Sequence, residues 1–288
     1  MTIVVTGSSG LLGRHVAAAL IEAGHDVTGV DTAPPPVPNA WRHISADLTD
    51  LGSAVELIRD AEAVVHVAAI PRPTGRTARD VFATNVAAAY NVTEAAVLGG
   101  VSRLVYASSF SVTGYPFNVK PIAPVYLPLD AAHPTAPQDA YALSKWLGEE
   151  IVAAAVRRSE MVALSLRLPW IQTAETFYPQ VEPIRSDPGK AAQSLWSYID
   201  GRDAGEAFRA AIEKPVEGHL RLYVSAADTF MEEPTEALIA AAYPGTAMKR
   251  PITGTDCVFD LDETLDALGF APRYSWRSYP VPAGREST

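Results

Sequence analysis

Short apolar runs alternate along this chain with longer segments in which apolar residues recur every three or four positions. Residues 3–5, 26–31, 41–48, 63–69, 103–109, 161–168 and 220–226 show the first pattern and predict strands. Unbroken apolarity, as over 63–69, predicts a strand covered on both faces. Helical periodicity follows the first strand through Leu11, Leu12, Val16, Leu20 and Ile21, and returns over 51–59, 80–98, 139–156, 202–213, 234–242 and 259–268. Gly24, Gly99 and Gly269 stand where helices should stop. This alternation predicts an α/β protein with a doubly wound parallel sheet. Residues 1–168 would form the main domain and 169–288 a small lobe interleaved with late strands.

Proline sets the loops. Pro34, Pro35, Pro36 and Pro38 make 32–39 a loop, and six prolines between 116 and 137 predict a long excursion of the functional kind. Residues 173–190 read as a polar, proline-containing stretch, and the tail from Pro272 as loosely ordered. With 288 residues, 48% of them hydrophobic, the chain can bury a full core. A formal net charge of −10 argues against nucleic acid or an anionic membrane as partner. No apolar run approaches the roughly 18 residues of a spanning helix, so the chain reads as soluble and cytoplasmic, with a small molecule as partner. The single cysteine, Cys257, cannot close an internal disulfide, and no His/Cys cluster has metal-ligand spacing, so no metal is expected.

Chemistry begins at the first turn, Thr6-Gly7-Ser8-Ser9-Gly10-Leu11-Leu12-Gly13. Glycines 7, 10 and 13 between a strand and a helix allow a sharp turn and close approach to a pyrophosphate, which the free helix N–H groups would meet. Asp31 ends the second strand about 20 residues beyond the glycines, where a ribose would have its hydroxyls bound. A carboxylate there repels a 2′-phosphate and favours NAD. Small residues at the end of the fourth strand, Val67, Ala68 and Ala69, would let a cofactor lie against it. His66, inside the strand pattern, reads as a satisfied core histidine. Arg72, Arg76 and Arg79 fall on the following loop, where Arg72 is the candidate substrate contact.

Tyr141 and Lys145 are i and i+4 on one helix face. A fixed ammonium beside a phenol would bring its pKa towards the working range, making proton transfer with a hydroxyl feasible. Ser109, ending the fifth strand, could bond the same oxygen, with Ser111 beside it. Of the aromatic residues in the second half, Trp170 and Trp196 are the candidates to face substrate.

Together, Thr6 to Gly13, Asp31, Asp47-Leu48, Ala107-Ser108-Ser109 and the run from Tyr141 to Glu150 resemble the extended short-chain dehydrogenase/reductase family, epimerase/dehydratase branch. The resemblance implies NAD on a Rossmann-type sheet, with cofactor contacts from Gly7, Ser9, Gly10, Leu11, Leu12, Gly13, Asp31, Val67, Ala68, Ala69, Asn85, Ala107 and Pro169. It implies Asp47 and Leu48 beside the adenine, Tyr141 as acid/base, Lys145 on the nicotinamide ribose, Ser109 orienting substrate, and a homodimer built on helices 80–98 and 139–156. The stretch 107–115 is similar to that of uronate dehydrogenases. No acid follows Ser109, which disfavours a sugar-nucleotide dehydratase. Three readings stay open: a dehydrogenase of a sugar-like or uronate-like hydroxyl, with an arginine such as Arg72, Arg76 or Arg167 for a carboxylate; a nucleotide-sugar 4-epimerase with tightly held NAD; and a non-catalytic NAD(P) sensor.

Overall fold

The computed structural model describes residues 1–35 and 39–281. Pro36 and Pro38 of the expected proline loop lie outside the described residues, as does the end of the tail.

Seven strands form one parallel sheet: β1 (Thr2–Thr6), β2 (Asp26–Asp31), β3 (Arg42–Ser45), β4 (Ala63–His66), β5 (Arg103–Ser109), β7 (Val162–Leu168) and β10 (His219–Tyr223). Their spatial order is β10, β7, β5, β4, β1, β2, β3. The chain winds outwards from β1 towards β3, then crosses back to β4 and winds the other way. The strand order therefore reverses between β1 and β4, and the carboxyl ends of those strands are where such a sheet binds ligands. Helices α1 (Leu11–Glu22) and α7 (Gly201–Glu213) pack on one face, and α2 (Leu51–Ile58), α3 (Ala78–Leu98) and α4 (Ala140–Arg157) on the other. β4 is buried throughout, as its unbroken apolarity requires.

The structure departs from the sequence reading in three places. Residues expected to form a polar stretch make α5 (Ala174–Arg185) and α6 (Pro188–Gln193). Pro179 and Pro183 lie inside α5, but Phe177 and Val181 on its inner face are fully buried and hold it in place. Residues 63–69 are strand only to His66, and β3 stops at Ser45, leaving Asp47 and Leu48 in the following turn. The tail, expected to be loose from Pro272, is tied down over residues 273–279, where Trp276 and Tyr279 are core. Trp276 stacks on Phe177 with ring centroids 5.1 Å apart and donates from its indole to the Thr229 carbonyl at 3.0 Å. Tyr279 donates to Asp200 at 2.6 Å, and Asp203 accepts from the backbone of Arg273 and Tyr274. The lobe's apolar cluster joins Phe177, Trp196, Tyr198, Phe230 and Trp276 to Phe110, Tyr115, Leu127 and Leu129 from before β7. β8 (Trp170–Gln172) pairs with β9 (Tyr198–Asp200), and β6 (Tyr126–Leu127) with β11 (Ala247–Met248), beside α8 (Thr235–Ala242) and α9 (Asp262–Leu268).

Trp276→Ala should therefore lower unfolding stability by about 3–5 kcal/mol, the cost of truncating a buried aromatic. Urea denaturation checks this, and an unchanged midpoint would mean the tail is dispensable.

Candidate active site

The glycine turn follows β1 directly. Gly7 has φ +70° and donates to the Val30 carbonyl at 2.7 Å, and a Cβ on it would lie 2.6 Å from the Ala68 nitrogen. On Gly13 a Cβ would lie 2.0 Å from the Gly7 carbonyl oxygen. Any larger residue at either position would part the turn from α1 or from the loop after β4. The helix begins at Gly10 with no side-chain cap and no acid in its first turn, so its first N–H groups are left for a ligand. Asp31, half-buried, accepts from Ser9 N and Ala33 N at 3.1 Å each, while the Ser9 hydroxyl donates to the Ala33 carbonyl. The Asp31 carboxylate thus holds the turn to the end of β2. Turn, uncapped helix and terminal carboxylate together fit a dinucleotide.

Behind the turn, Thr6 Oγ1 accepts from Val67 N and Ala68 N and lies 2.7 Å from His66 Nδ1. With its lone pairs taken, the hydroxyl donates to Nδ1, and the ring proton belongs on Nε2. Burial, reinforced by the Lys145 charge, takes His66 down to about 3, so it stays neutral as a core histidine. Asn85 is buried and uses its amide on both polar atoms of the Ile70 backbone and on the Ser144 hydroxyl. Its effect on a cofactor is therefore to brace residues 67–70. Asn91 bonds the Leu48 carbonyl at 3.0 Å, and Asp47, exposed, caps Thr49.

Asp139 caps α4 by accepting from Tyr141 N and Ala142 N, which fixes the first turn. Tyr141, 9% exposed, has the Ser109 hydroxyl near enough to its own to favour its ionised form, and Ser109 Oγ accepts from Ser111 N at 3.1 Å. Lys145 donates to the Ala107 carbonyl at 2.8 Å, with Nζ 5.1 Å from the Tyr106 ring centre and 5.9 Å from that of Tyr141. The phenol is not drawn down as expected. Burial pushes Tyr141 up to about 12; the Ser109 hydroxyl opposes this, and the Asp139 charge adds to it. Burial also takes Lys145 down to about 7. Burial is thus the leading cause of both shifts.

Other candidates are distributed unevenly. Ser111 is fully buried and its hydroxyl lacks a protein partner; Trp170 is half-buried against the lobe core; Pro169 is buried between β7 and β8. Arg72 and Arg76 are exposed on the loop before α3, whereas Arg79, expected on that loop, is exposed in the first turn of the helix, which Thr77 caps. Arg167 does not face substrate: it is 2% exposed and forms a bidentate pair with Glu149. Trp196 is likewise core, 2% exposed and edge-on to Tyr243, at φ +53°. Sequence reasoning missed Phe117, whose ring meets that of Tyr141 edge-on at 6.2 Å. Its position in the proline-rich excursion was the available signal. No cluster among the described residues could hold a metal, and no helix there is long and apolar enough to cross a membrane.

The family model of the NAD dependent epimerase/dehydratase family matches residues 3–181. L-arabinose 1-dehydrogenase (NAD(P)(+)) of Haloferax volcanii is 28% identical over 280 residues, covering 94% of this chain and 96% of the relative. A putative UDP-glucose 4-epimerase of Methanocaldococcus jannaschii is 30% identical over 69% of this chain and 62% of its own length. Among solved structures, a short-chain dehydrogenase/reductase superfamily protein from Agrobacterium tumefaciens with bound NAD has a TM-score of 0.72 at 25% identity, covering 96% of this chain and 94% of its own.

Lys145→Met should stabilise the fold in a pH-dependent way. Below pH 7 both folded and unfolded Lys145 are protonated and the native state carries the full cost of a buried ammonium. Between about 7 and its ordinary 10.5, only the unfolded chain holds the proton, so wild-type stability rises with pH. The gain in Tm of the variant over wild type should be largest below pH 7 and shrink towards pH 10. A gain that is flat with pH would contradict a buried, proton-linked Lys145.

Proposed function

The chain belongs to the NAD dependent epimerase/dehydratase family, and from that premise we propose that it is an NAD-dependent sugar dehydrogenase that oxidises a hydroxyl of a small, sugar-like substrate. Gly7, Gly10, Gly13 and the first N–H groups of α1 would hold the pyrophosphate, with Ser9, Leu11 and Leu12 in the same turn. Asp31 would accept from the adenosine ribose, Asp47 and Leu48 would flank the adenine, and residues 67–69, Ala107, Lys145 and Pro169 would line the nicotinamide half. Bound NAD supplies the hydride acceptor and, when oxidised, a positive charge beside the phenol. With oxidised NAD bound beside it, Tyr141 would release its own proton to solvent and, as the phenolate, take the substrate hydroxyl proton, while Ser109 holds that oxygen as its charge changes. Lys145 holds its place through the Ala107 carbonyl and contributes charge when protonated. Ser111, with its buried and unpartnered hydroxyl, is the next substrate contact, with Trp170 and Arg72 further out.

The observation that carries the choice of a small substrate is the state of the lobe's cations. Arg185 pairs with Glu182 and Glu232, Arg202 with Asp200, Arg250 with Asp260 and Asp262, and Arg277 with Asp228 and Glu232. Lys249 is held by Asp130. A sugar diphosphate would have to displace these carboxylates. The near full-length similarity to an arabinose dehydrogenase points the same way. The second reading, a nucleotide-sugar 4-epimerase, is favoured by the 30% identity to the putative epimerase.

Absorbance at 340 nm with NAD and a panel of aldoses, uronates and UDP-sugars separates the two. NADH accumulating with a free sugar is expected. No NADH, with interconversion of 4-epimeric UDP-sugars, would establish the epimerase. Tyr141→Phe should lower turnover by about 10²- to 10⁴-fold, the usual worth of a positioned acid/base, while leaving NAD affinity in place. Retained activity would remove Tyr141 from the mechanism.

We also propose that α3 and α4 form a homodimer face, because Tyr90 and Leu98 of α3 are exposed, 50% and 64% respectively, and Ile151 of α4 shares a surface hollow with Tyr90. Light scattering should give twice the 30.7 kDa chain mass, and Tyr90→Glu should shift the protein to monomer.

A further inference from the structure

Two of the last three residues of β5 bond residues of α4, and the third stands near a residue of the same helix. The Ala107 carbonyl accepts from Lys145 Nζ at 2.8 Å, Ser108 Oγ donates to Glu149 Oε1 at 2.6 Å, and the Ser109 hydroxyl lies near enough to that of Tyr141 to favour its ionised form. Residues 141, 145 and 149 stand four apart on one helix face. The two outer contacts, at Ser109 and Ala107, belong to the proposed chemistry. The middle one, Ser108 to Glu149, does not.

Glu149 is fully buried and its carboxylate is crowded with donors. Besides Ser108 it accepts from Arg167 Nε at 2.9 Å, Arg167 Nη2 at 2.8 Å and Arg221 Nε at 3.0 Å. Burial alone would raise its pKa, but the bonds and charge of Arg167, then Ser108 and Arg221, hold it below the ordinary range. Arg167 is pinned in turn by the Ala131 carbonyl at 3.3 Å and lies on β7 two residues before Pro169. Four donors leave no face of the carboxylate for a ligand, and two guanidinium groups already satisfy its charge. The Ser108 bond therefore does something neutralisation does not need: it fixes the residue next to Ser109 against the helix that carries Tyr141.

We propose that Glu149 is a positioning residue which, through Ser108, sets the spacing between Ser109 and Tyr141. The proposal rests on the reading that Ser109, Tyr141 and Lys145 carry the chemistry, and the experiment keeps the two apart. Ser108→Ala removes one hydrogen bond and leaves no charge unpaired. It should lower kcat for L-arabinose with NAD by about five- to tenfold, the worth of one such bond, with KM and NAD affinity unchanged. Ser108→Thr, which restores the hydroxyl, should recover the rate. In crystal structures of the wild type and Ser108→Ala, the distance between Ser109 Oγ and the Tyr141 hydroxyl should be greater in the variant, an outcome that needs no substrate. Glu149→Gln should lower kcat by about tenfold or more, and adding Ser108→Ala to it should cost nothing further. If Glu149→Gln does not fold, because it strands the Arg167 charge, the Ser108 variants decide alone.

Wild-type kcat and an unmoved Ser109 in Ser108→Ala, with Tyr141→Phe inactive, would overturn the positioning role and leave the site reading intact. A loss of rate matching only a loss of folded protein would also overturn it. Full activity in Tyr141→Phe would overturn the site reading itself, and the proposal with it.

Discussion

A buried ammonium and a buried carboxylate, one turn apart on α4, constrain the rest of the molecule. Lys145 and Glu149 are both almost without solvent contact, and neither charge is tolerable there unless donors and acceptors are supplied from fixed places. The sheet supplies them. β5 offers the Ala107 carbonyl and the Ser108 hydroxyl, β7 offers Arg167, and β10 offers Arg221. These strands are neighbours in the sheet, so satisfying two charges on one helix registers that helix against three strands. Tyr141 occupies its place because Lys145 and Glu149 have no alternative partners, and because Asp139 fixes the turn in which the tyrosine begins.

On the other side of the strand-order reversal, backbone does the equivalent work. Gly7 and Gly13 bring β1, α1 and the loop after β4 within van der Waals contact. Thr6, Asp31 and Asn85 then tie each of those segments down by hydrogen bonds to main-chain atoms. The two halves meet at His66 and Tyr106, stacked rings 5.7 Å apart with Lys145 above the second. A neutral imidazole is what a neighbouring ammonium demands there, and the donating Thr6 hydroxyl secures the matching tautomer.

Most of this scaffold was legible in the sequence because it depends on local patterns. Strands with unbroken apolarity, glycines at a strand-to-helix turn, and a tyrosine and lysine on one helix face all announce themselves within a few residues. What was not legible depends on partners distant in the chain. Arg167 looked available to a substrate because Glu149 lies on another element. Trp196 looked like a pocket wall because its place in the lobe core depends on Tyr243. The helix α5 keeps two prolines because Phe177 and Val181 are buried, Phe177 against Trp276 about a hundred residues further on, and the tail looked loose because that partner is distant. The Tyr141 pKa went the other way because spacing reveals a neighbouring ammonium but not the desolvation that both groups share.

The lobe core has a consequence for how this protein can change. Its apolar cluster takes Phe110, Tyr115, Leu127 and Leu129 from one side of β7, and Phe177, Phe230 and Trp276 from the other. No contiguous piece of chain contains it. A graft of residues 169–288 onto a related sheet would carry most of this core but leave behind Phe110, Tyr115, Leu127 and Leu129, which close it beside Ser109. The lobe is therefore not an exchangeable module, and new substrate ranges on this scaffold must come from substitutions made in place.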